Sequence, residues 1–335
     1  MFKLHPAIRQ ALSGQRFFKL ICGASYRNTD FVTELTSIFA EAGAQCIDVG
    51  ARPELVEAAL AGIRRAKVPV PGLPLVMVSV GINHDVHFMR VDKNHQACTH
   101  HGFCANACPH EVFVGQEIRL ENCLGCDHCV IACPEQALSL VPREPLHELR
   151  TRLGECFAAG ATALEVHTGD GGRAELIEML ETLAPWRDHI ELLAFSMGAH
   201  GQQVAEIVAL AREVVGLAGR EIIIQADGKP ISGRKGAKST QPCLDLAKAL
   251  LDAQTGAFIQ VSGGTNDLSG RLAQAQGIGI HGVGMGSFAR KYLRLSPSDA
   301  LDADARAGAL TRAQSLVESV AWSGLKVYTD EMAVP

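Results

Sequence analysis

Eight times along the 335-residue chain, a short apolar run of strand character is followed by a stretch of helical period. The runs are FFKLICGAS (17–25), CIDVGA (46–51), LVMVSV (75–80), ALEVHTG (163–169), ELLAFSM (191–197), EIIIQADG (221–228), AFIQVSGG (257–264) and GIHGVGMG (279–286). Helical stretches fall near 30–43, 53–66, 146–160, 173–184, 201–216, 240–253 and 266–275, with a last one from about Ser298 to Val320. Strand-then-helix repetition implies parallel strands, because each helix carries the chain back before the next strand begins. Eight units predict an α/β fold of the (β/α)8 TIM-barrel class. An open doubly wound sheet usually carries a Gly-rich fingerprint after its first strand, and ICGAS does not match one.

One stretch interrupts the alternation. Residues 84–143 hold seven of the 11 cysteines. Setting them aside leaves a length close to the ~250 residues typical of the barrel. The expected organisation is therefore a barrel from 1–83 and 144–335, with an insertion at 84–143 after strand three. Loops that follow barrel strands lie on the face where such folds keep their sites.

Within the insertion, CTHHGFCANAC (98–108) and CLGCDHCVIAC (123–133) superpose at an offset of 25, and each is followed by Pro. Cys98 matches Cys123, Cys104 matches Cys129, Cys108 matches Cys133, and His101 stands against Cys126. The pattern resembles a bacterial two-cluster ferredoxin, in which the cysteine before proline ligates the other cluster. One [4Fe–4S] cluster is then expected on Cys108, Cys123, Cys126 and Cys129. A second cluster is expected on Cys98, Cys104 and Cys133. It is [4Fe–4S] if His101 or another residue such as His100 binds the fourth iron, and [3Fe–4S] if nothing does. Imidazole in place of thiolate would raise the potential. Structural zinc is the competing reading, but zinc sites usually pair C-x2-C knuckles over a longer separation.

Alternation along the strands sends one parity of side chains into the barrel. That parity carries Lys19, Asp48, Glu165, His167, Gln225, Asp227 and Gln260, where an ordinary barrel core is aliphatic. One outcome is a satisfied polar layer that fixes register. The other is a site at the mouth, with Lys19, Asp48, Glu165, His167 and Asp227 as catalytic candidates and Gln225 and Gln260 as substrate contacts.

Two loops suggest phosphate. Strand seven ends in Ser262, Gly263, Gly264 and Thr265, and strand eight in Gly284, Gly286 and Ser287. The loops after these two strands often bind phosphate through backbone N–H groups. A phosphate ligand or flavin mononucleotide (FMN) is the candidate occupant, and tight turns alone are the alternative. DGKPISGRKGAKST (227–240) adds Lys229, Arg234, Lys235 and Lys238 as a basic lid for a small anionic ligand or an acidic electron carrier.

Net charge is −5, with no basic field to suggest nucleic acid. No apolar run approaches the ~18 residues a membrane span needs, and the N-terminus lacks a signal peptide's apolar core. A cytoplasmic location is expected.

FFKLICGAS, CIDVGA, the cysteine stretch, ALEVHTG, IIIQADGKPISG and FIQVSGGTND together resemble the light-dependent period (LdpA) family of cyanobacteria. The resemblance runs from about 15 to 295, in the same order around the same insertion. It implies iron–sulfur clusters and a role in passing cellular redox state to the circadian clock, and it implies no particular reaction. It also leads to expect a first motif richer in cysteine than CTHHGFCANAC. Two functions follow. One is a redox protein that relays or senses electrons through two clusters, with a protein donor or acceptor. The other is an oxidoreductase whose clusters reduce an anionic or phosphate-bearing substrate in the barrel.

Overall fold

The computed structural model describes residues 4–23, 28–82, 88–115, 117–123, 125–142, 146–198, 202–228, 236–295 and 302–320. Eight parallel strands close into a barrel: β1 (Phe17–Ile21), β2 (Cys46–Gly50), β3 (Leu75–Gly81), β8 (Ala163–His167), β9 (Leu192–Gly198), β10 (Ile223–Asp227), β11 (Phe258–Ser262) and β12 (Gly282–Met285). β12 returns to β1 with Lys19 opposite Gly284, which completes the ring. The eight expected strands are these eight, each within a few residues of its predicted limits.

Side-chain alternation builds two cores. The outward parity (Phe18 and Leu20, Ile47 and Val49, Val76, Val78 and Val80, Ile224, Val261, Val283) packs under the helices in one large cluster. Those helices include α2 (Thr29–Glu41), α3 (Pro53–Arg65), α6 (Leu146–Ala158), α7 (Arg173–Leu183), α8 (Val204–Ala218), α9 (Ala237–Asp252), α10 (Ser269–Ala275) and α12 (Ala303–Glu318). The inward parity is apolar at the N-terminal end, where Phe17, Cys46, Leu75, Met77, Ala163, Leu192 and Ile223 meet.

A helix that sequence reasoning missed closes that end. α1 (Pro6–Ser13) places Ile8, Ala11 and Leu12 on the inward cluster. Proline in its first turn has the φ a helix needs there, and His5 Nδ1 accepts from the Ala7 N–H at 3.3 Å. The barrel floor is therefore dry, and polar side chains are confined to the middle and the mouth.

Between β3 and β8 the chain leaves the barrel. β4 (Met89–Lys93) pairs antiparallel with β7 (Leu138–Pro142), and β5 (Phe113–Val114) pairs with β6 (Glu117–Ile118). Two short helices, α4 (Phe103–Ala107) and α5 (His128–Ile131), lie within the two cysteine motifs. None of these strands pairs with the barrel. The β5–β6 hairpin follows the first motif and β7 the second. The β4 partner was not anticipated. A further short helix, α11 (Ser287–Tyr292), follows β12.

Candidate functional site

Two groups of side chains stand out, one inside the barrel and one between β4 and β7. The barrel group starts from Lys19 on β1. It is 1% exposed and forms an ion pair with Glu165 of β8, also 1% exposed. Glu165 Oε1 accepts from Gln225 Nε2 at 2.7 Å, and Gln225 Oε1 accepts from Gln260 Nε2 at 2.5 Å. Gln225 also reaches Asp227 Oδ1 at 3.2 Å, and His167 Nε2 lies 3.3 Å from Glu165 Oε1. Asp48 accepts from Ser79 Oγ at 2.5 Å, and Asp227 accepts from Ser196 Oγ. The structure thus brings together all seven predicted interior groups or their immediate partners. Ser79 and Ser196, which cap the two aspartates, were missed, although both lie on the inward parity of their strands.

This layer is stacked by depth. Lys19, Glu165, Gln225 and Gln260 are buried, and His167 and Asp227 are half-buried above them. Gly284 makes room for the glutamine pair, since a Cβ there would stand 3.0 Å from Gln260 Nε2 and 3.2 Å from Gln225 Oε1. Gln260 Oε1 is buried without a hydrogen-bond partner. Phe88 lies against His167 with ring centroids 5.1 Å apart. Arg290 of α11 donates to the carbonyls of Ile21 (2.8 Å) and Cys22 (3.0 Å), tying the end of β1 to the mouth.

Burial pulls the charges of this layer toward neutrality. It lowers the Lys19 pKa, against an opposing pull from Asp48, Cys46 and Asp227. It raises that of Asp48, against Lys19, the Ser79 hydrogen bond and His167. The sign for Asp48 follows directly. Between the ordinary carboxyl value near ~3.9 and its raised folded value, the native state holds a proton that the unfolded chain has lost. Stability therefore falls as pH rises through that window. Asp48→Asn is expected to flatten this fall, raising the urea midpoint relative to wild type at neutral pH and leaving it unchanged below about pH 4. Parallel urea titrations across pH check it.

In the loop after β11 the missing Cβ atoms make room for neighbouring backbone. Gly263 (φ +70°) lies so close to Gly228 that a Cβ would stand 2.7 Å from its nitrogen. Gly264 (φ +92°) faces the carbonyl of Ser239 at the start of α9, where a Cβ would overlap the oxygen. Around them Ser239 Oγ donates to Gly264 O (2.8 Å), Asn266 Nδ2 donates to Gly236 O (3.1 Å), and Thr265 Oγ1 donates to Gly284 O (2.5 Å). Ser262 is buried at the end of β11, and Gly286 and Ser287 begin the six-residue α11. Gly264→Ala combines a strained φ with overpacking and is expected to cost roughly 2–4 kcal/mol, read as a lowered urea midpoint. Lys238 is exposed on the first turn of α9, and Lys229, Arg234 and Lys235 lie outside the described residues.

The second group is the cysteine stretch. Cys123, Cys129 and Cys133 are buried with Val91, Val112, Ala137 and Leu138, and Cys98, Cys104 and Cys108 pack against them. Two sulfurs accept backbone N–H bonds at 3.3 Å, Cys123 from Val91 and Cys133 from Ala137. These bonds anchor the thiols to β4 and to the approach to β7. Burial pushes the Cys129 thiol up to about 12, and the neighbours that add to the shift are Cys123, Cys108 and Cys126. Cys108 of the first motif packs against the core that holds Cys123 and Cys129 of the second.

His101 is also placed. Its Nδ1 accepts from the Phe103 N–H at 3.0 Å, and its Nε2 lies 2.5 Å from Glu135 Oε2. Ligand atoms of His101, Cys133 and Glu135 fall within 4.8 Å of one another. Glu135 was missed because no motif marks an acid after Cys-Pro. The other four cysteines, Cys22, Cys46, Cys156 and Cys243, are buried, and burial raises the pKa of each thiol.

Comparison with known proteins adds a family. Residues 157–322 match the sequence model of the light dependent period A C-terminal domain. The chain is 33% identical over 261 residues to Light dependent period A of Synechococcus elongatus, covering 77% of this chain and 73% of that one. Among solved structures, it is similar to ribulose-1,5-bisphosphate carboxylase/oxygenase of Pyrococcus horikoshii OT3 (TM-score 0.51, 11% identity, 96% of this chain and 62% of that). It is also similar to the carboxyl transferase domain of Rhizobium etli pyruvate carboxylase (TM-score 0.50, 11% identity, 95% and 50%). At that identity the two structures speak for the barrel fold alone. Among the described residues, no helix is long and apolar enough to cross a membrane.

Proposed function

The chain belongs to the light dependent period A family, and from that premise we propose that it is a redox protein carrying two iron–sulfur clusters beside its barrel. The observation that carries this reading is the mixed company of the two motifs: Cys98, Cys104 and Cys108 of the first pack against the core that holds Cys123, Cys129 and Cys133 of the second. That crossing is what two interleaved clusters need and what a single zinc knuckle does not.

The donor set fits. Six thiols gather in a small core, and two of them already accept backbone N–H bonds, as cluster-ligating sulfurs do. On this reading Cys108, Cys123, Cys126 and Cys129 hold one [4Fe–4S] cluster, and Cys98, Cys104 and Cys133 hold three corners of the second. Such clusters supply one-electron transfer.

The protein's own part is to set potential and access. Burial of Cys123, Cys129 and Cys133 excludes water, and the N–H bonds from Val91 and Ala137 stabilise negative charge on sulfur. Cys98, Cys104, Cys108 and Cys126 are only partly buried, which leaves an edge from which a protein donor or acceptor can exchange electrons.

A second reading rests on the barrel mouth. His167 and Asp227 are half-buried over the Lys19–Glu165 pair, so a small polar substrate at the mouth would meet a proton carrier backed by a buried charge pair. The test that separates both readings from a structural-metal scaffold is anaerobic purification with iron, zinc and acid-labile sulfide counted per chain. Sulfide in proportion to iron supports the clusters, and zinc without sulfide contradicts them. Reduction of a small substrate by the loaded protein, lost in His167→Ala with the clusters intact, would favour the second reading.

A further inference from the structure

Resting on the second reading of the barrel mouth, and independent of the clusters, we propose that Lys19 is a Schiff-base lysine whose amine condenses with the carbonyl carbon of a small ketone or aldehyde held at the mouth. A lysine becomes a nucleophile when it is desolvated and a neighbouring group takes its proton. Lys19 is 1% exposed, and its ammonium is paired with Glu165. Burial also lowers its pKa, which favours the free amine.

The surroundings leave one direction of approach. Below Lys19 the barrel is apolar: Met77 Sδ lies 3.9 Å from Nζ, and Cys46 is its register partner on β2. Asp48 pairs in register with Ile21, two residues nearer the mouth. His167 stands two residues beyond Glu165 on β8 and links it to the mouth, with Nε2 3.3 Å from Glu165 Oε1. Phe88 covers the His167 ring, and Gly81 gives it room, since a Cβ there would overlap the Phe88 ring. An incoming carbonyl therefore meets the amine from the mouth, between the carboxyls and an apolar wall.

A lone ion pair would fix strand register equally well. It would not need a second carboxyl, Asp48, 4% exposed and pushed by burial toward its protonated form. A Schiff base uses both carboxyls. The Lys19 ammonium gives a proton to Glu165. The free amine adds to the carbonyl carbon, forming the N–C bond, and the carbonyl oxygen takes a proton from Asp48. The new cationic nitrogen returns a proton to Asp48. Glu165 then protonates the hydroxyl, which leaves as water while the nitrogen lone pair forms the iminium. The sum is carbonyl plus ammonium giving iminium plus water, with both carboxyls restored and no oxidant or reductant consumed. The iminium keeps the positive charge at the Lys19 nitrogen, so Glu165 stays paired and no buried charge is stranded.

The test is reductive trapping. The anaerobically purified full chain is incubated at neutral pH with pyruvate or with dihydroxyacetone, reduced with sodium borohydride, digested and mapped by mass spectrometry. The expected result is an adduct on the peptide that holds Lys19, with none on exposed Lys248. The adduct should be lost in the double variant Lys19→Met, Glu165→Gln, with its fold checked by urea unfolding, and reduced in Asp48→Asn. Wild-type protein that gives no adduct at Lys19 with either ketone would overturn the assignment, as would labelling of Lys19 no greater than that of Lys248. Reduction of a small substrate that depends on His167 but leaves no Lys19 adduct would overturn this inference and leave the second reading standing. Absence of both would overturn the two together.

Discussion

Lys19→Met is expected to lower the stability of the barrel by roughly 3–5 kcal/mol. The substitution keeps the length of the side chain and removes its charge. Glu165, 1% exposed, then keeps its negative charge in the barrel interior with only Gln225 and His167 as partners. Removing one member of a buried pair is costly because the survivor is desolvated without compensation, whereas removing both is often close to neutral. The double variant Lys19→Met, Glu165→Gln should therefore recover most of the loss, since glutamine can still accept from Gln225. Urea unfolding of the single and double variants measures both effects. A single-variant loss under about 1 kcal/mol, the scale of an exposed pair, would mean that Lys19 reaches water at the mouth.

The second large effect concerns the clusters. Cys108→Ser should deplete the cluster that otherwise uses only second-motif cysteines, and Cys98→Ser should deplete the other. Each variant is expected to lose about half of the iron and sulfide, with the remaining signal belonging to the opposite cluster. Were the two motifs independent, Cys108→Ser would affect the cluster of its own motif and leave Cys123, Cys126 and Cys129 loaded. The packing of Cys108 on the core that holds Cys123 and Cys129 predicts the crossed result.

How much of this was legible in the sequence depended on the range of the signal. The barrel was legible because strand and helix periods are local, and eight repeats leave few ways to close. The interior network was legible for the same reason: Lys19, Glu165, Gln225 and Gln260 come from four different strands, but period-two alternation assigns each to the inner face without knowledge of its partners. What failed lacked a local period. α1 is eight residues long and opens on His5, an unusual cap. α11 has six residues. The β4 strand has a partner some fifty residues later, set by the fold and by no turn signal.

The glycines teach a different lesson. GG after β11 suggested phosphate because backbone can approach a ligand there. In the structure the close approach is to other backbone, that of Gly228 and Ser239. Composition cannot separate these cases, since both demand the same missing Cβ. Glu135 shows the limit for sites. The offset between the motifs set His101 against Cys126, but its hydrogen-bond partner lies 34 residues away, and only the fold shows which nitrogen is already taken.

The central claim is that this family member carries electrons, and a potentiometric titration of the anaerobically purified chain followed by EPR tests it most directly. Two cluster signals are predicted, each appearing and vanishing reversibly within the −700 to +450 mV span of about 1.1 V that iron–sulfur clusters cover. A protein with bound metal but no paramagnetic signal and no reversible wave over that span would contradict it.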